Sequence, residues 1–478
     1  MKAECTSNGL RFQEVAGRSV VARFDGGALT SDGGAVLLRE VERATGILQQ
    51  FAACFHDHRD PARLTHSVPR LVRQRVYGLA LGYEDLNDHD ALRHDPLFAV
   101  LAESADLGDP TAALAGKSTL NRLELSGATI ADAERYKKIA VDHAAVDRLL
   151  VDLLIQAHPT PPAEIMLDLD ATDDPVHGAQ EGRFFHGYYG HYCYLPLYIF
   201  AGEHLLCARL RPANIDASAG TREEVERIVA QLRAVWPQVR ILLRADSGFC
   251  RDALMMWCEA NAVDYVFGLA KNERLTALIA DELAAADAAC AATGHAARRF
   301  AELRYQTRDS WACERRVVAK AEQLTPSTST DEGKRNPRFV VTSLRIATID
   351  ARALYEELYC ARGEMENRIK EQQLMLFADR TSATTMRANQ LRLYFSSLAY
   401  VLLHALRRLA LAGTALARAQ CQTIRLTLLK IGARVGVTTR KVWLALASGC
   451  PHAALFARVH ATLIAVPVAW PLPPPVRC

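Results

Sequence analysis

The sequence predicts an α/β protein built on a mixed sheet flanked by helices, preceded by a mainly helical region and followed by a helical, basic one. The order of patterns from Glu164 to Leu269 reads three strands, a helix, a strand, a helix and a strand, which a mixed sheet covered by helices accommodates. A proline-rich break, His158-Pro-Thr-Pro-Pro-Ala163, separates that stretch from the helical patterns before it. The charge is also split: from Arg380 to Cys478 there are 13 Lys and Arg and no Asp or Glu, leaving 44 basic and 54 acidic residues in 1–379.

Taken in order, amphipathic stretches at Val68–Leu81, Ala91–Leu101 and Ala131–Ile155 predict helices in residues 1–158. After the prolines, Glu164–Asp170, Tyr192–Ala201 and His204–Arg211 read as strands, with Gly202-Glu203 as a hairpin turn. Thr221 and Glu224 form a capping-box pattern for a helix with the stripe Val225, Ile228, Val229, Leu232 and Trp236. A strand at Val239–Ala245, a helix at Arg251–Ala262 and a strand at Asp264–Leu269 complete the first part of the core, 159–271. Residues 272–347 read as a β-containing insertion, with strands at Arg299–Gln306, Arg315–Ala321 and Phe339–Leu344 and a polar loop at Thr325–Pro337. A long helix, Ala351–Leu376, and helices over Met386–Leu411 form the second part, 348–412; a basic region, 413–478, ends in the Pro-rich stretch Val466–Pro475.

With 478 residues, 50% of them hydrophobic, the chain is long enough for two or three packed domains and too apolar for disorder. The net charge of +3 conceals an acidic body of −10 and an acid-free basic end of +13, an asymmetry that points to a polyanionic partner, nucleic acid or membrane surface. Twelve cysteines without any Cys-x2-Cys pair exclude a zinc ribbon and read as reduced thiols. Met1–Val15 lacks the apolar run of a secretory signal, and the apolar run Leu393–Leu403 is about half of the roughly 20 residues a membrane span needs, so a cytoplasmic protein is expected.

Three places set carboxylates where chemistry is possible. Asp168 and Asp170 point to one face at the end of an apolar strand, with Leu167 and Leu169 on the other. Asp246 ends a second apolar strand, before Ser247-Gly248. On the long helix, Tyr359, Arg362, Glu366 and Lys370 are spaced to share a face. Two aspartates from strand ends and a glutamate from a helix make a hard-oxygen set suited to Mg²⁺, with Mn²⁺ as a substitute. Two such ions about 4 Å apart could activate an attacking oxygen and stabilise a leaving one in phosphoryl transfer.

The set Asp170-Ala-Thr172, Ala245-Asp-Ser-Gly-Phe249 and Tyr359-x2-Arg362-x3-Glu366 resembles the DDE transposases of bacterial insertion sequences, and most of all the insertion-sequence 1380 group. Supporting phrases lie outside the catalytic stretch: Gly82-Tyr-Glu-Asp-Leu-Asn-Asp88, Leu92-Arg-His-Asp-Pro96 and Lys117-Ser-Thr-Leu-Asn-Arg-Leu-Glu124. The resemblance implies a ribonuclease H-like catalytic fold with Asp170, Asp246 and Glu366 as catalytic metal ligands, Asp168 being the rival of Asp170. Relatives carry a Lys seven residues after the Glu; here that position is Gln373, and Lys370 is the nearest basic residue on that face. Gly363 stands where many relatives have Trp, so hairpin chemistry at the DNA ends does not follow from the resemblance.

The implied activity is cut-and-paste transposition: cleavage at terminal inverted repeats, then joining of the 3′ hydroxyls to target DNA. The implied partner is double-stranded DNA, bound by a homodimer in the synaptic complex, with nucleoid association and no membrane. Tyr359, Arg362, Lys370, Arg407, Arg408, Lys430, Arg434, Arg440 and Lys441 are the expected DNA contacts, and residues 1–158 are expected to bind DNA ends. The alternatives are a metal-dependent endonuclease without strand transfer and a catalytically lapsed DNA-binding protein. Two weaker signals have plainer readings. His56-Asp-His-Arg-Asp60 reads as a surface loop, and seven of the chain's 29 Phe and Tyr, between Phe184 and Tyr198, read as strand packing, with base stacking as the other reading.

Overall fold

The computed structural model describes residues 9–104, 106–107, 109, 112–128, 138–325 and 334–468. The chain divides into two compact units: Gln49–Asp60 with Arg122–His404, and Met1–Leu48 with Pro61–Asn121 and Ala405–Cys478. The expected helical residues 131–137, loop residues 326–333 and tail residues 469–475 lie outside the described residues.

The first unit is built on an eight-stranded mixed sheet. Its strands in chain order are β1 (Glu164–Ala171), β2 (Leu197–Ala201), β3 (His204–Arg209), β4 (Arg240–Ala245), β5 (Asp264–Leu269), β6 (Ala297–Tyr305), β7 (Arg315–Gln323) and β8 (Arg338–Thr342). Their order across the sheet is β3-β2-β1-β4-β5-β8-β7-β6. β4 runs parallel to both β1 and β5, and the remaining pairs are antiparallel. Residues 272–347 therefore extend the same sheet by three antiparallel strands.

Period-two alternation assigns the faces. Leu167, Leu169, Leu243 and Ala245 enter one large core with Val225, Ile228 and Leu232 of helix α1 (Thr221–Val235) and with Leu254, Met255 and Cys258 of α2 (Asp252–Ala260). The alternate residues belong to the opposite face, where Leu242, Val266 and Val340 pack with Leu354 and Tyr355. Leu354 and Tyr355 begin the helical run Ala351–Met375. That run is not a uniform α-helix: wide π turns at Leu354–Tyr359 and Glu371–Met375 flank the α-helical α3 (Gly363–Lys370). Widened turns recur at functional sites because they re-aim side chains without ending a helix.

Two local readings differ from the sequence pattern. The expected strand Tyr192–Ala201 is two strands, His191–Tyr194 in a small three-stranded sheet and β2, because Pro196 supplies no N–H and breaks the ladder. Thr221 is the first residue of α1, whose cap is the left-handed Gly220, and Glu224 turns instead to Arg209 and Arg227.

The second unit contains helices Val36–Thr45, Val68–Ala80 and Ala453–Ala465, and a three-stranded sheet of Lys441–Leu446, Ala433–Thr438 and Leu29–Thr30. The expectation of a helical C-terminal region is thus corrected in part: beside the helix Ala453–Ala465, the β-branched, alternating stretch 433–446 forms a hairpin around Thr439-Arg440. The expected helix Ala91–Leu101 is two short ones, His89–Leu92 and Pro96–Leu101, since Asp95 caps a new helix whose first residue is Pro96. Gly34 is required by close approach: a Cβ there would lie 1.8 Å from the Leu428 carbonyl oxygen. Among the described residues no helix is long and apolar enough to cross a membrane.

A buried ion cluster in the first unit ties β3 to three helices, His143–Ala157, α1 and Met386–Leu406. Arg209 donates to Asp147 and, at 2.8 Å, to Glu224, and the Tyr394 hydroxyl donates to Asp147 at 2.7 Å. Burial acts to raise the Glu224 carboxyl, yet Arg209 and Arg227 hold it below its ordinary range. Removing one partner leaves uncompensated buried charge. Arg209→Ala should therefore lower unfolding free energy by about 3–5 kcal/mol, read from the urea midpoint.

Candidate active site

The in-register parallel pairing of β1 and β4 sets Arg244 opposite Asp168 and Ala245 opposite Leu169. The next residues, Asp170 and Asp246, therefore stand side by side at the carboxyl ends of neighbouring parallel strands. An open α/β sheet presents ligands to such ends.

The two aspartates of β1 have different surroundings. Asp168 is 4% exposed and gripped by Arg244, whose Nε and Nη2 donate to its two oxygens at 2.5 and 2.8 Å. Arg244 also donates to the Leu358 carbonyl at 2.6 Å, fastening the helical run to the sheet. Both oxygens of Asp168 are thus committed to a structural pair. Asp170 is half-buried and receives the Ala171 N–H at 3.0 Å. Asp246 caps the turn Ser247–Phe249, accepting from the Gly248 N–H at 2.8 Å through one oxygen.

The helical run supplies the third carboxylate. Arg362 lies between the strand end and the helix, with Nη1 3.7 Å from Asp170 Oδ1 and Nη2 3.3 Å from Glu366 Oε1. Tyr359 reaches the same corner: a Cβ on Gly268 would lie 2.6 Å from its hydroxyl and 2.9 Å from the Ser247 nitrogen. Only glycine leaves that room. α3 is fixed by Arg368, which pairs with the fully buried Glu371 at 2.6 Å and with Glu203 at 3.2 Å. Gln373 donates to the Asp173 carbonyl at 2.9 Å, and Lys370 is exposed.

Electrostatics links the three carboxylates. Asp170 is pushed up from 3.8 to about 7, first by burial and then by the negative charges of Asp246 and Glu366, against the opposing pull of Arg362. Burial also raises the Tyr359 phenol, with Asp246 adding to it and Arg362 opposing. A buried carboxylate beside two others is short of positive charge, and three hard-oxygen donors fit a divalent cation of the Mg²⁺ type. Among the described residues, no three His, Cys, Asp or Glu side chains already close around an ion-sized space. Arg362 stands between two of the three, so binding an ion would require its guanidinium to turn away.

The other expected DNA contacts lie in the second unit and divide by environment. Arg407 is buried, 2% exposed, and Lys430 pairs with buried Asp32 at 2.7 Å while lying 4.0 Å over the Tyr83 ring. Neither placement suits a phosphate contact. Arg408, Arg434, Arg440 and Lys441 are exposed, the last two at the turn of the 433–446 hairpin. In the first unit, Asp57 of the His56–Asp60 stretch pairs with Arg59 at 2.6 Å. The sequence pattern assigns Arg244 no role of its own. Its signal is position, two residues before Asp246 as Asp168 is two before Asp170.

The raised Asp170 carboxyl has a testable sign. The folded state holds its proton up to about pH 7, so this group's contribution to stability is present at low pH and is lost as pH rises from 3.8 to about 7. Asp170→Asn, which cannot ionise, should match the wild type near pH 4 and exceed it in unfolding free energy near pH 8 by on the order of 1–3 kcal/mol. Thermal melts across that range check it.

The model of the family described as "Transposase DDE domain group 1" matches residues 12–468. No curated protein matches the chain. A solved structure of the piggyBac transposase synaptic complex with hairpin DNA aligns with a TM-score of 0.42 and 10% identity, over 84% of this chain and 79% of that chain.

Proposed function

The chain belongs to the DDE transposase domain family, group 1, and from that premise we propose that it is the transposase of an insertion sequence of the 1380 group, cleaving the element's terminal inverted repeats and joining the freed 3′ hydroxyls to target DNA. The observation that carries the proposal is the pairing register of β1 and β4, which aligns Asp170 with Asp246 on the face where Leu354 and Tyr355, the start of the helical run that bears Glu366, pack. The strand order β3-β2-β1-β4-β5, antiparallel then parallel about β1, supports a ribonuclease H-like core.

In this reading Asp170, Asp246 and Glu366 hold divalent ions. Once bound, such ions supply a nucleophile at neutral pH and offset charge on the leaving oxygen. Asp168 is then a positioning residue, because its pair with Arg244 fixes both strand ends and, through Leu358, the helical run. Arg362 is placed to exchange its carboxylate partners for a scissile phosphate, to which a guanidinium donates bidentately. Tyr359 orients the Asp246 corner, and exposed Lys370 takes a neighbouring phosphate. Exposed Arg408, Arg434, Arg440 and Lys441 neutralise the duplex backbone. Pairing two element ends takes at least two copies of the chain.

Cleavage and strand transfer are assayed on duplexes carrying the DNA that flanks this reading frame. Asp246→Asn and Glu366→Gln should each abolish both steps while leaving DNA affinity within about twofold, since neither charge change removes a cation that faces a phosphate. Cleavage by the wild type without joining of a pre-cut end would favour a plain endonuclease, and unchanged excision by Asp246→Asn would falsify the catalytic assignment.

Salt dependence tests the second unit. The triple change Arg434→Ala, Arg440→Ala and Lys441→Ala should reduce the slope of log affinity against log salt by about 2–3, at about 0.9 for each phosphate no longer neutralised. Lys430→Ala, whose ammonium is already held by Asp32, should leave that slope unchanged.

A further inference from the structure

The small sheet beside the carboxylates carries aromatic rings that the core does not use. Phe184–His186 and His191–Tyr194 pair antiparallel, with Phe185 opposite Tyr192 and His186 opposite His191. Cys193 of this hairpin faces inward, packing with Leu195 and Ala213. Phe185 and Tyr192 occupy the other face, 57% and 48% exposed, with their rings edge-to-face at 5.7 Å. At the tip Tyr188 is 87% exposed, its ring standing against Tyr189 at 5.0 Å. Strand packing, the plainer reading of this aromatic cluster, does not account for rings left this open.

The hairpin is anchored next to the active site. Tyr189 and Ala171, the residue after Asp170, pack against the same cluster of Cys193, Leu195 and Ala213, and the Tyr189 phenol is raised by burial and by the charges of Asp173 and Asp170. His191 Nε2 lies 2.8 Å from Asp173 Oδ2, and the Gln373 side chain holds the Asp173 carbonyl. The open face also carries a cation, the Arg183 guanidinium, 4.6 Å from the centre of the Tyr192 ring. Between Phe184 and Tyr194 there is no Asp or Glu to repel a phosphate backbone.

We infer that this hairpin is a stacking platform for an unpaired nucleobase of the DNA strand entering the Asp170 site, with Tyr188, Phe185 and Tyr192 as its rings and Arg183 as its phosphate contact. This rests on the transposase reading. Every base has a π face, so stacking takes the strand without regard to sequence. It also offsets the cost of unstacking a nucleotide beside the phosphate to be cut. Charge complementarity at Arg183 and continuity with the carboxylate site favour a nucleic-acid strand over a protein partner.

The test compares a blunt duplex with the same duplex bearing a short single-stranded end labelled with 2-aminopurine. Full-length wild-type protein should bind the single-stranded end about tenfold more tightly than the blunt one and quench the label, within the range set by stacking on one aromatic ring. Tyr188→Ala and Phe185→Ala should lose most of that preference with unchanged circular dichroism, and Tyr188→Trp should keep it. Equal binding of both duplexes by the wild type, or full preference in both alanine variants, overturns the platform. So does a loss of self-association in light scattering with the preference intact, which would mark a protein interface. Cleavage of the same duplexes with magnesium is scored in parallel: cleavage without the preference overturns the platform alone, whereas the absence of both cleavage and DNA binding overturns the transposase reading beneath it.

Discussion

The parallel, in-register pairing of Glu164–Ala171 with Arg240–Ala245 is the constraint on which the rest of the site depends. Because alternate residues share a face, one register places two polar pairs in succession on the side opposite the main core: Asp168 with Arg244, then Asp170 with Asp246. A slip of either strand by one residue would turn its two polar side chains into the apolar core formed by Leu167, Leu169, Leu243 and Ala245. Burial of those apolar residues thus enforces the geometry of the carboxylates. The inner pair is neutralised within the protein, while the outer pair is left without an equivalent partner.

The helical run from Ala351 brings the remaining groups to that outer pair. Its apolar start, Leu354 and Tyr355, packs on the same sheet face, and Arg244 holds the Leu358 carbonyl. Further along, Arg368 ties the helix to Glu203 and buried Glu371. With both ends held, Arg362 and Glu366 project toward Asp170. The site concentrates negative charge in a partly buried corner, and Asp170 retains its proton to about pH 7 as a result. That arrangement costs folding stability, because carboxylates are buried and crowded together.

The second unit shows why a count of basic residues overstates a nucleic-acid surface. The chain end without acidic residues is balanced in part by carboxylates distant in sequence, as Asp32 balances Lys430, and in part by burial, as at Arg407. Exposed cations gather instead on and around the 433–446 hairpin, which local pattern does not separate from the surrounding helices.

Most strands and helices of the first unit, the carboxylate-bearing segments and the family resemblance were legible in the sequence alone; Ile139–Val141, expected within the helix Ala131–Ile155, is instead a strand paired with Phe55–Asp57, and the helix there is His143–Ala157. Apolar periodicity and short motifs are local, and each is written within a few consecutive residues. The break at Pro196 was legible in principle, and the hairpin at 433–446 less so, since a short continuous apolar run such as Val442–Leu446 also suits a buried helix. What only the tertiary structure decided was which polar groups meet. Asp168 and Asp170 are equivalent under a period of two, and they differ because Arg244, 76 residues away from Asp168, comes to lie against one of them. The exposure of Tyr188 and Phe185 and the capture of Lys430 by Asp32 are likewise long-range facts. Burial and pairing of charge depend on what packs alongside, and no window of neighbouring residues contains that information.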